Sequence, residues 1–507
     1  MSGVTTAVIN LDLPGPVISR HVYGHFAEHL GRCIYGGFWV GPDSEIPNVD
    51  GIRLDVVEAL RAVQIPNLRW PGGCFADDYH WRDGIGPREE RPRMVNSHWG
   101  DVVEDNSFGT HEFMALCELL GADAYVNGNV GSGTVREMSE WIEYLTRADD
   151  SPMAALRRAN GRDEPWKVPF FGIGNEPWGC GGTMKADHYT ALARQYSTYV
   201  RDHGGNEVYR IAAGADSRDV DWTDTLMRSY GCIDCSSGKP GPFQAVSLHH
   251  YTVSGPWAAK GSATEFGVDD WYLTLSRATE IDQILAKHST VMDRYDPGHR
   301  VGLVLDEWGT WWDVEPGTNP GFLYQQNTLR DALVASVHFD AFHRHAERLV
   351  MANLAQAVNV LQAMLLTDPD TGALVLTPTY HVFEMNTAHH DAASLAVHLR
   401  DVPTRVADGR TIGLVSASAS TRGDTALVSL SNLDADADSI VVLDLRGREV
   451  TNVRARLLTA TELNAHNTSA RPDAVAPVEH SGVRPHARGL EVDLPAHSYV
   501  TVALELA

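Results

Sequence analysis

The sequence predicts an α/β chain, a (β/α)8 barrel of the TIM type followed by a C-terminal antiparallel β-sandwich. Three observations carry that expectation. The 507 residues exceed one ordinary domain but suit a barrel plus a smaller unit. Between residues 16 and 385, short apolar runs alternate with longer stretches of helical period, the pattern of βα units around a parallel sheet. From residue 386 the rhythm changes to short runs separated by Gly, Asp, Asn and Pro.

The apolar runs number eight. They end near 25–28 (VYGHFAEH), 69–73 (NLRWPGG), 127–129 (AYVNGN), 174–176 (PFFGIGNE), 214–216 (RIAAGAD), 249–251 (AVSLHHY), 306–308 (VGLVLDEW) and 353 (RLVMAN). Between them LDVVEALRAV (54–63), THEFMALCELLGA (110–122), ADHYTALARQYSTYVRDHG (186–204) and TLRDALVASVHFDAFHRHA (328–346) place apolar residues at spacings of three and four, as helices covering one face of a sheet require. The runs SLAVHL, TIGLVSAS, ALVSLSN, SIVVLDL, VRARLL and YVTVALEL read as sandwich strands, and TTAVINLDL near the start is positioned to pair with them. The expected division is therefore 16–385 for the barrel and 1–15 plus 386–507 for the sandwich.

A formal charge of -25, from 41 basic and 66 acidic residues, argues against nucleic acid or an anionic membrane surface as partner. The start of the chain lacks a basic stretch leading into an apolar one, and no run reaches the ~18 apolar residues of a membrane span. The sequence thus reads as soluble and cytoplasmic. Six cysteines, at 33, 74, 117, 180, 232 and 235, are too sparse for a disulfide framework, so most are expected as free thiols. The pair Cys232 and Cys235 lacks the companion ligands of a zinc site, and the sequon at Asn467 carries little weight in a chain without a secretion signal.

In such a barrel the C-terminal ends of the strands converge on one mouth. Here those ends carry Glu28, Arg69, Asn175, Glu176, His249, His250, Tyr251, Asp306, Glu307 and Trp308. A lone carboxylate at a strand end is most often structural, but a whole ring of polar and aromatic groups resists that explanation. Glu176 (FFGIGNEPWGCGG) and Glu307 (VGLVLDEWGTWW) stand at the ends of strands four and seven, each beside aromatics. Glycosidic bond cleavage needs one carboxylic acid to protonate the leaving oxygen and a second group to attack or stabilise the sugar cation. The two carboxyls must therefore sit in unequal environments, and Arg69 is placed to keep one of them ionised. Trp70, Trp99, Trp178, Trp308, Trp311 and Trp312 are candidates for stacking on sugar rings or, equally, for the core.

At YGHFAEHLGRCIYGGFWVG (23–41), LRWPGGCFADDYHWRDGIGP (68–87), GNEPWGCGG (174–182), SLHHYT (247–252), DEWGTWWDVEPGTNPGFLYQQNTLRDALVAS (306–336) and MANLAQAVNVLQ (351–362) the chain resembles glycoside hydrolase family 51, the α-L-arabinofuranosidases. The similarity spans essentially the whole chain. It implies Glu176 as general acid/base and Glu307 as nucleophile of a retaining enzyme. It further implies that Glu28, Cys74, Asn175, Tyr251 and Gln356 hold the arabinofuranosyl ring, Asn175 at the 2-hydroxyl, while Arg69 orients the nucleophile. Trp99, Trp178 and Trp311 complete the expected sugar-binding set. No metal or other cofactor is expected, the partners are arabinofuranosyl-containing oligosaccharides, and a homo-oligomer, commonly a hexamer, is implied. The segment 252–270 follows strand six and should form the rim that sets leaving-group specificity.

Three other readings compete with an exo-acting arabinofuranosidase. A β-xylosidase or endo-glucanase of the same mechanism would differ in sugar and in having an open cleft, and a silent carbohydrate-binding barrel would lack the carboxylate pair. A metal-dependent hydrolase would use His249, His250 and Asp306. Adjacent strand residues face opposite ways, so both histidines cannot line the mouth of a regular strand, and a core or supporting histidine is the better expectation.

Overall fold

The computed structural model describes residues 4–230 and 241–507. Eight parallel strands close into a barrel: β1 (Gly24–Phe26), β2 (Asn67–Trp70), β3 (Asp123–Gly128), β4 (Phe170–Ile173), β5 (Tyr209–Asp216), β6 (Ala245–Thr252), β7 (Gly302–Thr310) and β8 (Leu349–Leu354), each beside its neighbour in sequence and β8 beside β1. All eight lie where the apolar runs placed them. The runs are continuous rather than alternating because each strand is covered by helices outside and by its fellows inside: Leu303, Val304 and Leu305 are all at most 1% exposed.

The four expected helices form at Leu54–Ala62, Thr110–Leu120, Ala186–Tyr199 and Leu329–Arg344, shorter at their ends than the periodicity suggested. The last is set by a capping box, the Thr328 hydroxyl accepting from the amide of Arg330 and the Asp331 carboxylate accepting from the amide of Thr328 at 2.7 Å. It differs from expectation in being buried on every side, from Leu329 to His343. Its second face is taken up by the C-terminal sheet, which turns a covering helix into a central one.

That sheet has ten strands, in the order 478–479, 450–458, 498–506, 425–432, 415–422, 393–400, 4–17, 439–446, 489–494 and 483–486. Its two ends share one apolar cluster, with Ile9, Val428, Leu430, Val441, Val492, Val500 and Val502 all buried. Two details depart from the sequence reading. TIGLVSAS splits between two strands, Arg410–Gly413 and Val415–Arg422, and Val4–Val17 pairs parallel to Ser439–Arg446 while antiparallel to Ala393–Arg400. A strand inserted from a distant part of the chain is free of the hairpin constraint that makes neighbours antiparallel.

The helix and the turn Thr387–His389 are joined to the sheet and to Tyr23 by buried hydroxyl–imidazole bonds. His343 Nδ1 lies 3.0 Å from Ser418 Oγ and its Nε2 2.6 Å from the Tyr23 hydroxyl, while His389 bonds Ser420 Oγ at 2.7 Å and Ser429 Oγ at 2.9 Å. Burial pushes His389 down to about 3, helped by His390, and His343 well below the usual imidazole range, helped by His389 and Arg344. Folding therefore requires the neutral rings, while the unfolded chain takes up their protons below about 6.5. The contribution of these rings is fully present above that pH and is lost as the pH falls, for His389 down to about 3, by up to roughly 1.4 kcal/mol per pH unit for each ring. Melting temperatures recorded across this range should be flat above neutrality and decline in acid; a melting temperature indifferent to pH down to about 4 would remove these histidines from the account.

Candidate active site

The mouth of the barrel is built on Arg69, the third residue of β2 and 1% exposed. Its Nη1 donates to Glu307 Oε1 at 2.9 Å and its Nη2 to Asn175 Oδ1 at 2.7 Å, so one planar guanidinium ties β7 to the turn after β4. Burial works against its charge, but Asp306 and Glu307 outweigh it and raise its pKa. Tyr251 on β6 donates its hydroxyl to Glu307 Oε2 at 2.8 Å. Both oxygens of Glu307 are thus held by donors.

Glu176 lies three residues beyond β4, in a left-handed backbone conformation (φ 37°). Its Oε1 is 2.8 Å from His249 Nδ1, and an oxygen of Glu176 lies within 4.8 Å of one on Glu307. Burial raises the Glu176 pKa, with the His249 hydrogen bond opposing. The two glutamates differ in their partners: Glu176 has His249 at 2.8 Å, whereas Glu307 is held by Arg69 and Tyr251.

His249 is closer to the chemistry than the sequence suggested. Besides Glu176 it meets Asp306 Oδ1 at 3.1 Å and Glu307 Oε2 at 3.6 Å. Burial disfavours its charge, yet Glu307, Asp306 and Glu176 together hold its pKa well above the imidazole range. Asp306 in turn accepts from the Tyr125 hydroxyl at 2.7 Å; burial would raise its pKa, but Arg69, His249 and Tyr125 hold it below the usual range. His250 faces the other way as strand alternation demands, bonding Ser217 Oγ at 3.0 Å and lying beside His338. Trp308 likewise leaves the mouth and stacks on His338 at 5.1 Å.

Glu28 closes the far side. Its Oε1 accepts from the amides of Gly73 and Phe75 and from Trp99 Nε1 at 2.9 Å, and its Oε2 accepts from Gln356 Nε2 at 2.9 Å. Burial, aided by Glu307, pushes its carboxyl up to about 7 against those donors. Glu28, Gly73, Cys74, Trp99, Glu176, Tyr251, Glu307, Trp311 and Gln356 line one small cavity of about 40 Å³ together with Leu323 and Leu361. Past Glu176 it meets a groove of about 960 Å³ that runs by Trp178, Trp257 and Trp311 toward Arg218, Arg277 and Asp408. Of the candidate tryptophans, Trp99, Trp178 and Trp311 reach these spaces, whereas Trp70, Trp308 and Trp312 belong to the buried interior. The expected rim is present: Trp257 is 59% exposed and meets Trp311 edge-on at 4.9 Å, and Trp311 in turn meets Tyr251.

The cysteine expectation needs correction. Cys74 and Cys180, 106 residues apart, form a disulfide joining the loops after β2 and β4, with the Cys180 sulfur 3.6 Å from Glu176 Oε2. Barrel closure brings these loops together, which spacing in the sequence cannot show. Cys33 and Cys117 are free and buried, and Cys232 and Cys235 lie outside the described residues.

Two family models match the chain: the α-L-arabinofuranosidase 1 domain over residues 59–252 and the α-L-arabinofuranosidase C-terminal domain over residues 306–498. An intracellular exo-α-L-arabinofuranosidase of Bacteroides ovatus is 50% identical over 99% of this chain and 95% of its own. A probable α-L-arabinofuranosidase C of Aspergillus niger is 33% identical over 75% of this chain and 74% of its own. The crystal structure of the family 51 arabinofuranosidase of Xanthomonas axonopodis pv. citri superposes with a TM-score of 0.95 at 48% identity, covering 99% of this chain and 100% of that one. With its barrel, its paired carboxylates and these full-length relatives, the chain belongs to glycoside hydrolase family 51, the α-L-arabinofuranosidases.

Proposed function

We propose that this is an exo-acting, retaining α-L-arabinofuranosidase in which Glu307 is the nucleophile and Glu176 the acid/base. The observation that carries the mechanism is that one ring nitrogen of His249 lies 2.8 Å from Glu176 Oε1 and 3.6 Å from Glu307 Oε2, so the two carboxylates are close neighbours, which suits a double displacement rather than the roughly 6.5–9.5 Å that leaves room for a water. In the first step Glu307 attacks the anomeric carbon and the bond to the leaving oxygen breaks, that oxygen taking the proton of Glu176. In the second Glu176 removes a proton from water, which attacks the same carbon and releases both arabinose and Glu307.

We assign Glu28, Cys74, Asn175, Tyr251 and Gln356 to the furanose ring and Arg69 to orienting Glu307: Glu28, Cys74, Tyr251, Gln356 and Trp99 line the small cavity beside the glutamates, and the Asn175 side chain is held next to it by Arg69. The adjoining groove, with Trp178 and Trp311 at its start, suits the remainder of an oligosaccharide. A small cavity beside a much larger groove favours release of terminal units over internal cleavage, and the Bacteroides relative, named an exo-α-L-arabinofuranosidase, supports arabinofuranosyl oligosaccharides, such as fragments of arabinan or arabinoxylan, as substrates. The name of the Bacteroides relative supports action inside the cell, and among the described residues no helix is long and apolar enough to cross a membrane. A homo-oligomer, hexameric as the family implies, completes the proposal.

NMR of a reaction on an arabino-oligosaccharide tests sugar, direction and stereochemistry together. Arabinose alone should be released, stepwise from the non-reducing end, and first as the α-anomer. Early formation of the β-anomer would refute retention; internal fragments, or a preference for p-nitrophenyl xyloside over p-nitrophenyl arabinofuranoside, would refute the substrate assignment.

A further inference from the structure

Asp77 ends the short turn Cys74–Asp77 that follows β2, and it is 3% exposed. The partners of its carboxylate are backbone amides from two other loops. Oδ1 accepts from Val130 at 2.7 Å and Gly131 at 2.8 Å in the loop after β3, and Oδ2 accepts from Asn175 at 2.8 Å in the turn after β4. Glycines keep the space around it open: a Cβ at Gly181 would come 2.8 Å from Oδ2, and one at Gly131 would come 2.9 Å from the Asp77 Cβ. A position that only filled space would be occupied more stably by a neutral side chain, because a buried carboxylate is costly unless its bonds accomplish something else.

What they hold is the turn of Glu176. Asn175 has its amide fixed by Asp77 and its side chain by Arg69. The chain then enters Glu176 at φ 37°, a conformation that a non-glycine residue adopts only when its surroundings impose it, and the Glu176 carbonyl accepts from the amides of Gly179 and Gly181. We propose that Asp77 is the positioning residue of Glu176: by anchoring the Asn175 amide it imposes the left-handed backbone that aims the acid/base at the leaving oxygen. This rests on the reading of Glu176 given above.

The test compares kcat and KM on an arabino-oligosaccharide, whose leaving group needs protonation, with those on p-nitrophenyl arabinofuranoside, whose leaving group does not. Asp77→Asn turns one acceptor into a donor facing an amide; Asp77→Ser removes the charge without adding an opposed donor. Each should lower kcat/KM on the oligosaccharide about 100-fold, with KM within about threefold, while costing kcat/KM of the aryl substrate, which reports formation of the covalent intermediate, less than about tenfold. The basic limb of the kcat profile should move to lower pH, because a released Glu176 regains water. Ser132→Ala, which removes the bond of that hydroxyl to the Asp77 carbonyl and the one it accepts from the Asn129 side chain but leaves the Asp77 carboxylate bonds in place, should stay within about twofold of the parent. Equal losses on the two substrates, a change in KM alone, or loss of folded protein in both Asp77 variants would each overturn the proposal. Glu176→Ala run in parallel separates the two claims. If it discriminates the substrates and the Asp77 variants do not, only the positioning role falls; if it does not discriminate them, both fall together.

Discussion

Replacing Glu307 by alanine should leave a folded protein whose kcat is lower by on the order of 10^4 or more on every arabinofuranoside, activated or not. The expected loss is that large because the covalent path disappears, whereas removing one hydrogen-bond donor only weakens it. It is indifferent to the leaving group because the missing atom attacks carbon and does not assist departure. Folding should survive, since Arg69 keeps Asn175 and the nearby Asp306 as partners. Added azide gives a sharper check: entering through the space vacated by the side chain, it should yield a glycosyl azide of inverted configuration from an activated substrate. Residual activity within a factor of about 100 of the parent would show that Glu307 is not the nucleophile.

Glu176→Ala should give the opposite selectivity. Activity on oligosaccharides should fall by about 10^2 to 10^4, the usual worth of general acid–base catalysis, while formation of the covalent intermediate from aryl substrates is nearly spared. Its breakdown then lacks a base, so azide should speed turnover and give a product of retained configuration. The pH profile carries a second signature. Burial raises the Glu176 pKa, so the parent should hold activity above the ordinary carboxylate range and lose it as this proton is released, and the variant should lack that basic limb. Equal loss of kcat/KM on both substrate types would mean that the proton comes from another group, with His249 the nearest candidate at 2.8 Å from Glu176.

The barrel was legible because its strands are buried on both faces, so each appears as an unbroken apolar run with its polar residues gathered at one end. The site was legible for the same reason, since Arg69, Glu176, Tyr251 and Glu307 interrupt apolar stretches at the end that faces the mouth. What the sequence hid depends on closure in three dimensions. His249 and His250 are indistinguishable as letters; only the pairing of β6 with β7, which shifts register between Ser247 and His249, places one among the carboxylates. Asp77 is one acid in a stretch rich in them, and its partners are amides, which leave no trace in residue type. The disulfide of Cys74 joins loops that are distant in sequence, and the enclosure of the helix Leu329–Arg344 follows from a sheet contributed by another region.

The strand Val4–Val17 lies between partners at Ala393–Arg400 and Ser439–Arg446. It cannot pair until residues 393–446 have been made, so this part of the sheet closes only when segments hundreds of residues apart meet. Such long-range pairing slows folding and leaves an apolar edge open in the interval. Production at high speed or high temperature should accordingly fail by self-association of half-finished molecules before it fails by melting of finished ones.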